Sequence, residues 1–399
     1  MIALLLRHPY GRNMSRPNVK MQFHPEDPSV IVATLREFKR VATYGWAVLV
    51  FTALVIVGIW SWGAAAQWLL QAGLLWILVL YQTRGYLPLN RKGPEDVLYS
   101  HLGLANRLTI LRGWLVACTG GFLFQQSPPG IIALVPAGFY AVSAIIDRID
   151  GFAARKTGQV SQMGMELDTV FDALGLAIAP LLAVWYGKIH WSYLLVSCAY
   201  YLFKYGQRYR QKNGLPLFAL EPKLSRRAIA GFQMGFIAVV LFPMFQPPAT
   251  RIAGFAFMLP VLAGFLIDWL VVSGRISDKS FINHQLLELG EKVISLFTQP
   301  ALRLILAGFL LTWSLRYTET SSNSPLILWA MIACGLLILL GIMGRVAALA
   351  LILLIGWMNS SQLSSLILPI TVWILVLGTG HFSLWTWDDD WVNRYDGAV

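Results

Sequence analysis

The chain has 399 residues, of which 57% are hydrophobic and only 13% are charged, and its mean hydropathy is +0.61. A soluble domain carries about 25% charged residues, so this composition excludes a soluble globular enzyme and predicts a membrane protein with many spans. The formal net charge of +11 would suit nucleic-acid binding. However, Lys and Arg lie mostly in alternate loops, which is typical of membrane topology, so no nucleic-acid partner is expected.

Twelve apolar segments approach the length of a transmembrane helix, which needs about 20 mostly apolar residues. They predict an all-α polytopic protein in which a six-helix core follows two helices and precedes about four more. The predicted spans lie near residues 43–62, 66–83, 108–125, 130–147, 165–187, 189–205, 228–247, 252–273, 301–318, 325–343, 346–359 and 365–382.

Positive charge is unevenly distributed over the connections between these spans. If residues 1–40 are cytoplasmic, the external connections contain almost no Lys or Arg, and Lys188 and Arg251 are the exceptions. The cytoplasmic connections then hold most of the basic residues, as the positive-inside rule requires. This orientation places the acidic motif described below on the cytoplasmic side of the membrane.

Two amphipathic stretches predict helices that lie on the membrane surface, one after Pro94 and one at residues 281–298. They divide the chain into four parts. We expect an N-terminal segment with two extra spans, a core with its interfacial helix, an amphipathic connector, and a four-helix module with an acidic and aromatic tail. The corresponding ranges are 1–83, 84–273, 274–299 and 300–399.

Four aspartates lie at the ends of two core spans. Asp147 and Asp150 close one span, and Asp168 and Asp172 open the next. Spacings of three and four residues place each pair on one face of a helix. Because an ionised carboxylate near hydrocarbon is costly, such acids indicate a functional site. A hydrogen-bonded cluster of helix ends and the ion pathway of a transporter are the alternatives.

Facing carboxylates suit hard divalent cations, and we expect two ions, Mg²⁺ or Mn²⁺, at this site. Arg155 adds a planar donor group suited to a phosphate. Gly164 lies one turn before Asp168 and leaves room for close helix packing or for a flat ligand. Together these features predict phosphoryl chemistry on a substrate that carries a pyrophosphate.

The run from Asp147 to Asp172 reads D-x-x-D-G-x-x-A-R, eight residues, then G-x-x-x-D-x-x-x-D. It resembles the signature of the CDP-alcohol phosphotransferase family at every fixed position, and the upstream run from Asn106 to Arg112 resembles the family's N-x-x-T-x-x-R. The resemblance covers residues 104–273. It implies a membrane enzyme that transfers a phosphoalcohol group, expected to be phosphatidyl, from a CDP-linked donor to an alcohol and releases CMP.

The resemblance also implies a role for each matching residue. The four aspartates would bind the metals, and Asp172 would act as general base on the acceptor hydroxyl. Nucleotide and donor phosphates would contact Asn106, Thr109, Gly151, Ala154, Arg155 and Gly164. Ala173 departs from the basic residue that many bacterial phosphatidyltransferases carry after the last aspartate. The implied donor is a CDP-linked lipid or small CDP-alcohol, and a homodimer in the membrane stays open.

Basic residues near the cytoplasmic ends of two later core spans are candidates for the acceptor site. They are Lys204, Arg208, Arg226 and Arg227. They would suit a phosphorylated acceptor, but they equally suit a topological role beside lipid headgroups. The sequence therefore leaves the acceptor alcohol open.

Residues 300–382 resemble the DoxX-like membrane family in two short motifs, Gly341–Leu349 and Gly378–Leu384. Arg303 and Arg345 are interpreted as anchors that reach the membrane surface, and Asp388–Asp390 as a solvated turn on a free tail. In the alternative to an enzyme, the core is a non-catalytic lipid-binding scaffold or part of a transporter, and this C-terminal module carries the function.

Overall fold

The computed structural model describes residues 28–220, 224–276, 292–320, 325–358 and 361–392. These residues form α-helices and short 3₁₀ and π turns, without a β-strand in the described ranges. The helices are α1 Pro28–Ile59, α2 Trp62–Tyr86, α3 Gly103–Gly120, α4 Val135–Thr157, α5 Gln162–Trp185, α6 Leu194–Lys212, α7 Leu224–Leu241, α8 Ala249–Val272, α9 Gln299–Thr320, α10 Pro325–Leu340, α11 Gly344–Met358, α12 Ser361–Leu377 and α13 Trp387–Val392.

Each of the twelve predicted spans coincides with one helix from α1 to α12, which confirms the all-α polytopic fold. In the described part of the chain, six of these helices are long and apolar enough to cross a membrane, and four others are shorter but apolar. The remaining two, α3 and α6, carry arginine and other polar residues along part of their length. The protein is therefore an integral membrane protein.

The start of the first predicted span differs from the structure. The described part of helix α1 begins at Pro28, about four turns before the predicted span, and this extension contacts the start of α3. Within that contact, Glu37 accepts a hydrogen bond from the backbone N–H of Leu102 at 2.8 Å and pairs with Arg107. An acid at this end of α3 also complements the helix dipole.

The predicted surface helix after Pro94 is wrong, because residues 90–102 are irregular. The reason is local hydrogen bonding, since the Asn90 side chain donates to the carbonyl oxygen of His101 at 3.0 Å and closes this stretch into a loop. The helix predicted at 281–298 lies largely outside the described residues. From Lys292 the chain is helical and continues into α9 through a π-helical turn at Ile294–Thr298.

The chain forms two compact units. The first contains the described residues up to Tyr186 together with Ile237–Phe242, and the second contains Gly187–Phe236 and the described residues from Pro243 onward. Helix α3 lies at the centre of the first unit and packs against α2, α4 and α5. Small residues on α3, Gly113 and Ala117 among them, allow these neighbours to approach closely.

In the second unit, α9 to α12 pack in succession and α12 returns to α9, which forms a four-helix arrangement. The two short glycine motifs of this module meet at one place. At Gly341, a Cβ atom would lie 2.6 Å from the backbone of Ser383, so only glycine allows this approach. The backbone around Trp385 then hydrogen-bonds to Gly341 and Met343.

The tail beyond α12 is folded back, so its interpretation as a free acidic turn is wrong. Asp388 is 3% exposed and accepts hydrogen bonds from the backbone N–H groups of Arg345 and Val346, at the start of α11. Such a position suits an acid because the N-terminus of a helix is positively polarised. The Arg345 guanidinium pairs with Asp389 and donates to the carbonyl oxygen of Leu375 at 3.1 Å.

Arg303 joins the same cluster from α9. Its guanidinium donates to the carbonyl oxygens of Thr379 and Phe382 at 2.9 and 3.1 Å. Arg303 and Arg345 are both buried, so they are internal structural groups rather than anchors that reach the membrane surface. We call Arg303, Arg345, Asp388 and Asp389 the C-terminal cluster.

Lys188 and Arg251, the two exceptions to the charge pattern, both bind loop carbonyl oxygens in the second unit. The Lys188 ammonium donates to Phe245 at 2.8 Å, and Arg251 donates to Gly187 at 3.2 Å. Lys188 lies in the turn after α5, and burial lowers the pKa of its side chain to about 8. Both side chains therefore hold connecting segments in place, Lys188 from the turn after α5 and Arg251 from the first turn of α8.

Candidate active site

Helices α4 and α5 bring the two aspartate pairs together beside α3. One oxygen from each of Asp147, Asp150 and Asp168 lies within 4.8 Å of the others. The sequence predicted both pairs at helix ends. In the structure they lie further inside their helices, because α4 continues to Thr157 and α5 begins at Gln162. One-turn spacing within each helix nevertheless directs both pairs to a common face.

Arg112, on α3, lies among all four aspartates and is only 1% exposed. Its guanidinium contacts Asp147, and it lies 2.7 Å from Asp168, 2.9 Å from Asp172 and 3.6 Å from Asp150. No role was predicted for this arginine from the sequence. A usable signal was its spacing, because Arg112 follows Thr109 by three residues and so shares a helix face with it.

The charges of this site are unequal, since four carboxylates surround one guanidinium group. The site is also open on one side, because the side chains of Asp168 and Asp172 are 47% and 43% exposed whereas that of Asp150 is 8% exposed. Carboxylate oxygens at this separation suit a hard divalent cation, which would neutralise the excess negative charge. The residues present therefore fit the expected metal chemistry.

Two polar residues of α3 support the site from within. The Thr109 hydroxyl donates to Asp150 Oδ2 at 3.0 Å. The Asn106 side chain donates to Asn90 Oδ1 at 3.0 Å and accepts from the Ser161 hydroxyl at 2.9 Å. Both α3 side chains are almost completely buried. Their expected contact with the nucleotide stays a prediction.

Gly164 allows Asn106 to approach the start of α5. A Cβ atom at Gly164 would lie 2.6 Å from Asn106 Oδ1, so any larger residue would displace that amide. Close packing is thus one of the two roles predicted for Gly164 from the sequence. The other predicted role, to leave room for a flat base, stays a prediction.

The remaining predicted residues are less closely defined. Gly151 follows Asp150 on α4, and Ala154 and Arg155 lie later on the same helix, with side chains outside the described set. Of the predicted acceptor residues, two lie on α6 with half-buried or exposed side chains, and two lie in the first turn of α7 with side chains that are not described. They are Lys204 and Arg208, then Arg226 and Arg227.

These four basic residues belong to the second unit, whereas the aspartates belong to the first. The role of the basic residues in acceptor binding therefore stays a prediction.

One stretch of the chain is similar to a known protein family. The family model for CDP-alcohol phosphatidyltransferases matches residues 102–270, which include Arg112 and the whole aspartate motif. No solved structure matches the chain.

Two curated relatives are similar over short segments. The CDP-diacylglycerol–serine O-phosphatidyltransferase of Methanocaldococcus jannaschii is 42% identical over 53 residues, which are 13% of this chain and 26% of the relative. The protein of the same name from Mycobacterium leprae is 36% identical over 64 residues, which are 16% of this chain and 20% of the relative. The chain thus spans at most 26% of the length of these relatives.

Proposed function

We propose that this membrane protein is a transferase of phospholipid synthesis, because residues 102–270 match the family model for CDP-alcohol phosphatidyltransferases. It transfers a phosphoalcohol group, phosphatidyl in the version we favour, from a CDP-linked donor to the hydroxyl group of an alcohol and releases CMP. The observation that carries this proposal is the group of three clustered carboxylates, with Asp172 held beside them by Arg112. Membrane lipids surround the site and supply the donor.

Asp147, Asp150 and Asp168 would hold the divalent cations, which we propose are two Mg²⁺ or Mn²⁺ ions. When bound, such ions neutralise phosphate charge and stabilise both the attacking and the leaving oxygen of a displacement. Thr109 keeps Asp150 oriented through its hydrogen bond, and Arg112 keeps the carboxylates of both helices close together. Arg155, Gly151 and Ala154 are proposed to contact the donor.

Asp172 is proposed as the general base. Arg112 binds only its Oδ1 atom among the contacts described, and the side chain is 43% exposed, so the carboxylate is both oriented and accessible. The acceptor oxygen attacks the phosphorus that carries the alcohol group, and the hydroxyl proton passes to Asp172. The bond from that phosphorus to the CMP oxygen breaks, and CMP leaves with the electron pair.

Two versions of this proposal differ in the acceptor alcohol. Lys204, Arg208, Arg226 and Arg227 would favour a phosphorylated acceptor such as glycerol phosphate or inositol phosphate. The names of the two relatives favour serine, which carries no phosphate. We propose that the site faces the cytoplasm, in keeping with the charge pattern of the loops, so all three acceptors are accessible there.

The test is CMP release by the purified full chain from labelled CDP-diacylglycerol, with each acceptor in turn and with Mg²⁺ or Mn²⁺. Asp172→Asn should abolish turnover and retain nucleotide binding. Asp389→Asn is the matched control, because it removes an aspartate bound to an arginine in the other unit and should leave turnover unchanged.

Normal turnover of Asp172→Asn would rule out the base assignment. If the folded wild-type protein released no CMP from any CDP-alcohol, the scaffold or transporter alternative would replace the enzyme proposal. A single productive acceptor would decide between the phosphorylated and the serine versions.

A further inference from the structure

An irregular stretch between α2 and α3 lies just before the matched family domain and contacts the loop that joins the two halves of the aspartate motif. The backbone N–H of Gln162 donates to the carbonyl oxygen of Arg91 at 2.9 Å. The Tyr99 hydroxyl donates to the carbonyl oxygen of Val160 at 3.3 Å. His101 Nε2 lies 2.9 Å from the side-chain nitrogen of Gln159. We call Asn90, Arg91, Tyr99 and His101 the clamp.

Asn90 is the buried centre of the clamp, with 0% exposure. One end of its amide donates to the carbonyl oxygen of His101, and the other end accepts from Asn106. Asn106 accepts in turn from the Ser161 hydroxyl, and Ser161 accepts from the backbone N–H of Gly164 at 3.0 Å. Three consecutive hydrogen bonds therefore join Asn90 to the first turn of α5.

In this series of hydrogen bonds, every donor faces an acceptor. Each amide uses one donor and one acceptor, and Ser161 caps α5 as its N-cap residue while its own proton goes to Asn106. In a buried chain of this kind, losing one member leaves its neighbour unsatisfied and loosens the next contact. The two aspartates of α5, Asp168 and Asp172, lie one and two turns after Gly164.

We propose that Asn90, although it precedes the family domain, is a positioning residue for the transfer reaction. It holds the start of α5 against α3 through Asn106 and Ser161, and so keeps Asp168 and Asp172 in register with the aspartates of α4. The catalytic readout of this proposal rests on the proposed function, but its structural readout does not.

The test uses the full chain and four variants: Asn90→Ala, Ser161→Ala, the double variant and Thr83→Val. Thr83 is the control, since it is equally buried but its hydroxyl bonds, among the described residues, only to Val79 within α2. We expect Asn90→Ala to lower kcat about tenfold and to change the donor KM less than about twofold, because it affects the alignment of the base rather than substrate contacts.

The kcat of the double variant should be no lower than that of Ser161→Ala alone, because both substitutions break the same series of hydrogen bonds. Hydrogen exchange at the Gly164 amide should be about tenfold faster in Asn90→Ala, whereas Thr83→Val should leave it unchanged. If Asn90→Ala does not fold, Ser161→Ala breaks the same chain at a later link and must itself show the lower kcat.

The proposal is overturned if Asn90→Ala changes thermal stability alone, as we expect of Thr83→Val, with normal kcat and normal exchange at Gly164. Additive losses in the double variant would also overturn it, since they would mean that Asn90 acts by another route. If the wild-type protein releases no CMP, the proposed function fails, and the exchange comparison alone decides the role of Asn90.

Discussion

Arg112 in the first unit and Arg345 in the second are both buried on helices and both paired with aspartates, yet their surroundings differ in kind. Four carboxylates surround Arg112, and two of them are nearly half exposed. Arg345 has one aspartate at its guanidinium, which also donates hydrogen bonds to carbonyl oxygens at the end of α12 and lies over the ring of Phe232. An excess of accessible carboxylates can bind cations, whereas a closed and balanced cluster stabilises the fold.

The largest effect is expected from replacing an aspartate beside Arg112, which tests whether the two clusters differ in cation binding. Asp168→Asn should lower both the Mn²⁺ affinity and the rate of CMP release by more than about a hundredfold, because it removes a proposed ligand from the cluster. Mn²⁺ titration followed by electron paramagnetic resonance and the CMP assay measure the two effects. Asp389→Asn is the control, and an equal loss of Mn²⁺ affinity in that variant would contradict the distinction between the clusters.

Removing Arg345 tests the structural role of the C-terminal cluster. Arg345→Met should lower the free energy of unfolding by about 3 kcal/mol or more, because it leaves Asp389 and several carbonyl oxygens without their buried partner. Thermal unfolding in detergent measures this loss, and CMP release per folded molecule should not change. A stable but inactive Arg345→Met protein would instead assign the C-terminal cluster to the reaction.

Metal linkage separates the two arginines further. In Arg112→Gln the four carboxylates lose their common partner, so divalent ions should bind more tightly and raise the melting temperature more than in wild type. An ion at a hundred times its Kd stabilises a folded protein by about 2.7 kcal/mol. In Arg345→Met the shift caused by Mg²⁺ should equal that of wild type. Equal shifts in all three proteins would mean that Arg112 does not share its carboxylates with the ion.

A smaller effect should follow from the hydroxyl beside Asp150. Thr109→Val removes one hydrogen bond to a carboxylate, which is worth about 1.5 kcal/mol, so kcat/KM should fall about tenfold. Thr119→Val is the matched control on α3, since within the described part of the chain that buried hydroxyl bonds only to Leu115 in its own helix. A similar fall in the control would indicate a general effect of the substitution on α3.

The last prediction concerns another buried cation, Lys188. Its pKa is lowered to about 8 from a usual value of 10.5, so the unfolded state binds more protons between these limits. Stability should therefore increase as the pH rises from about 8 towards 10.5, and Lys188→Met should lose this increase. Melting temperatures over that pH range measure it, and an unchanged slope in the variant would contradict the assignment.

The aspartate motif and the twelve helices could be predicted from the sequence for a physical reason. Hydrophobic length and one-turn spacing are local properties, since a helix satisfies its own backbone hydrogen bonds within a few residues. The same local rules predicted that Asp147 and Asp150 share one helix face and that Asp168 and Asp172 share another. Four acids placed in this way indicated a cation site. Boundaries were less predictable, because the early start of α1 depends on the contact of Glu37 with α3.

Only the tertiary structure decided which distant groups neutralise those charges. Arg112 meets Asp172 across 60 residues of chain, and Arg345 meets Asp389 across 44. Asn90 reaches α5 through side chains of α3 and of the loop before α5, and no periodic pattern encodes that route. Long-range electrostatic pairing depends on how helices pack, so the sequence alone identified a site rich in acid, and the packing supplied the arginine at its centre.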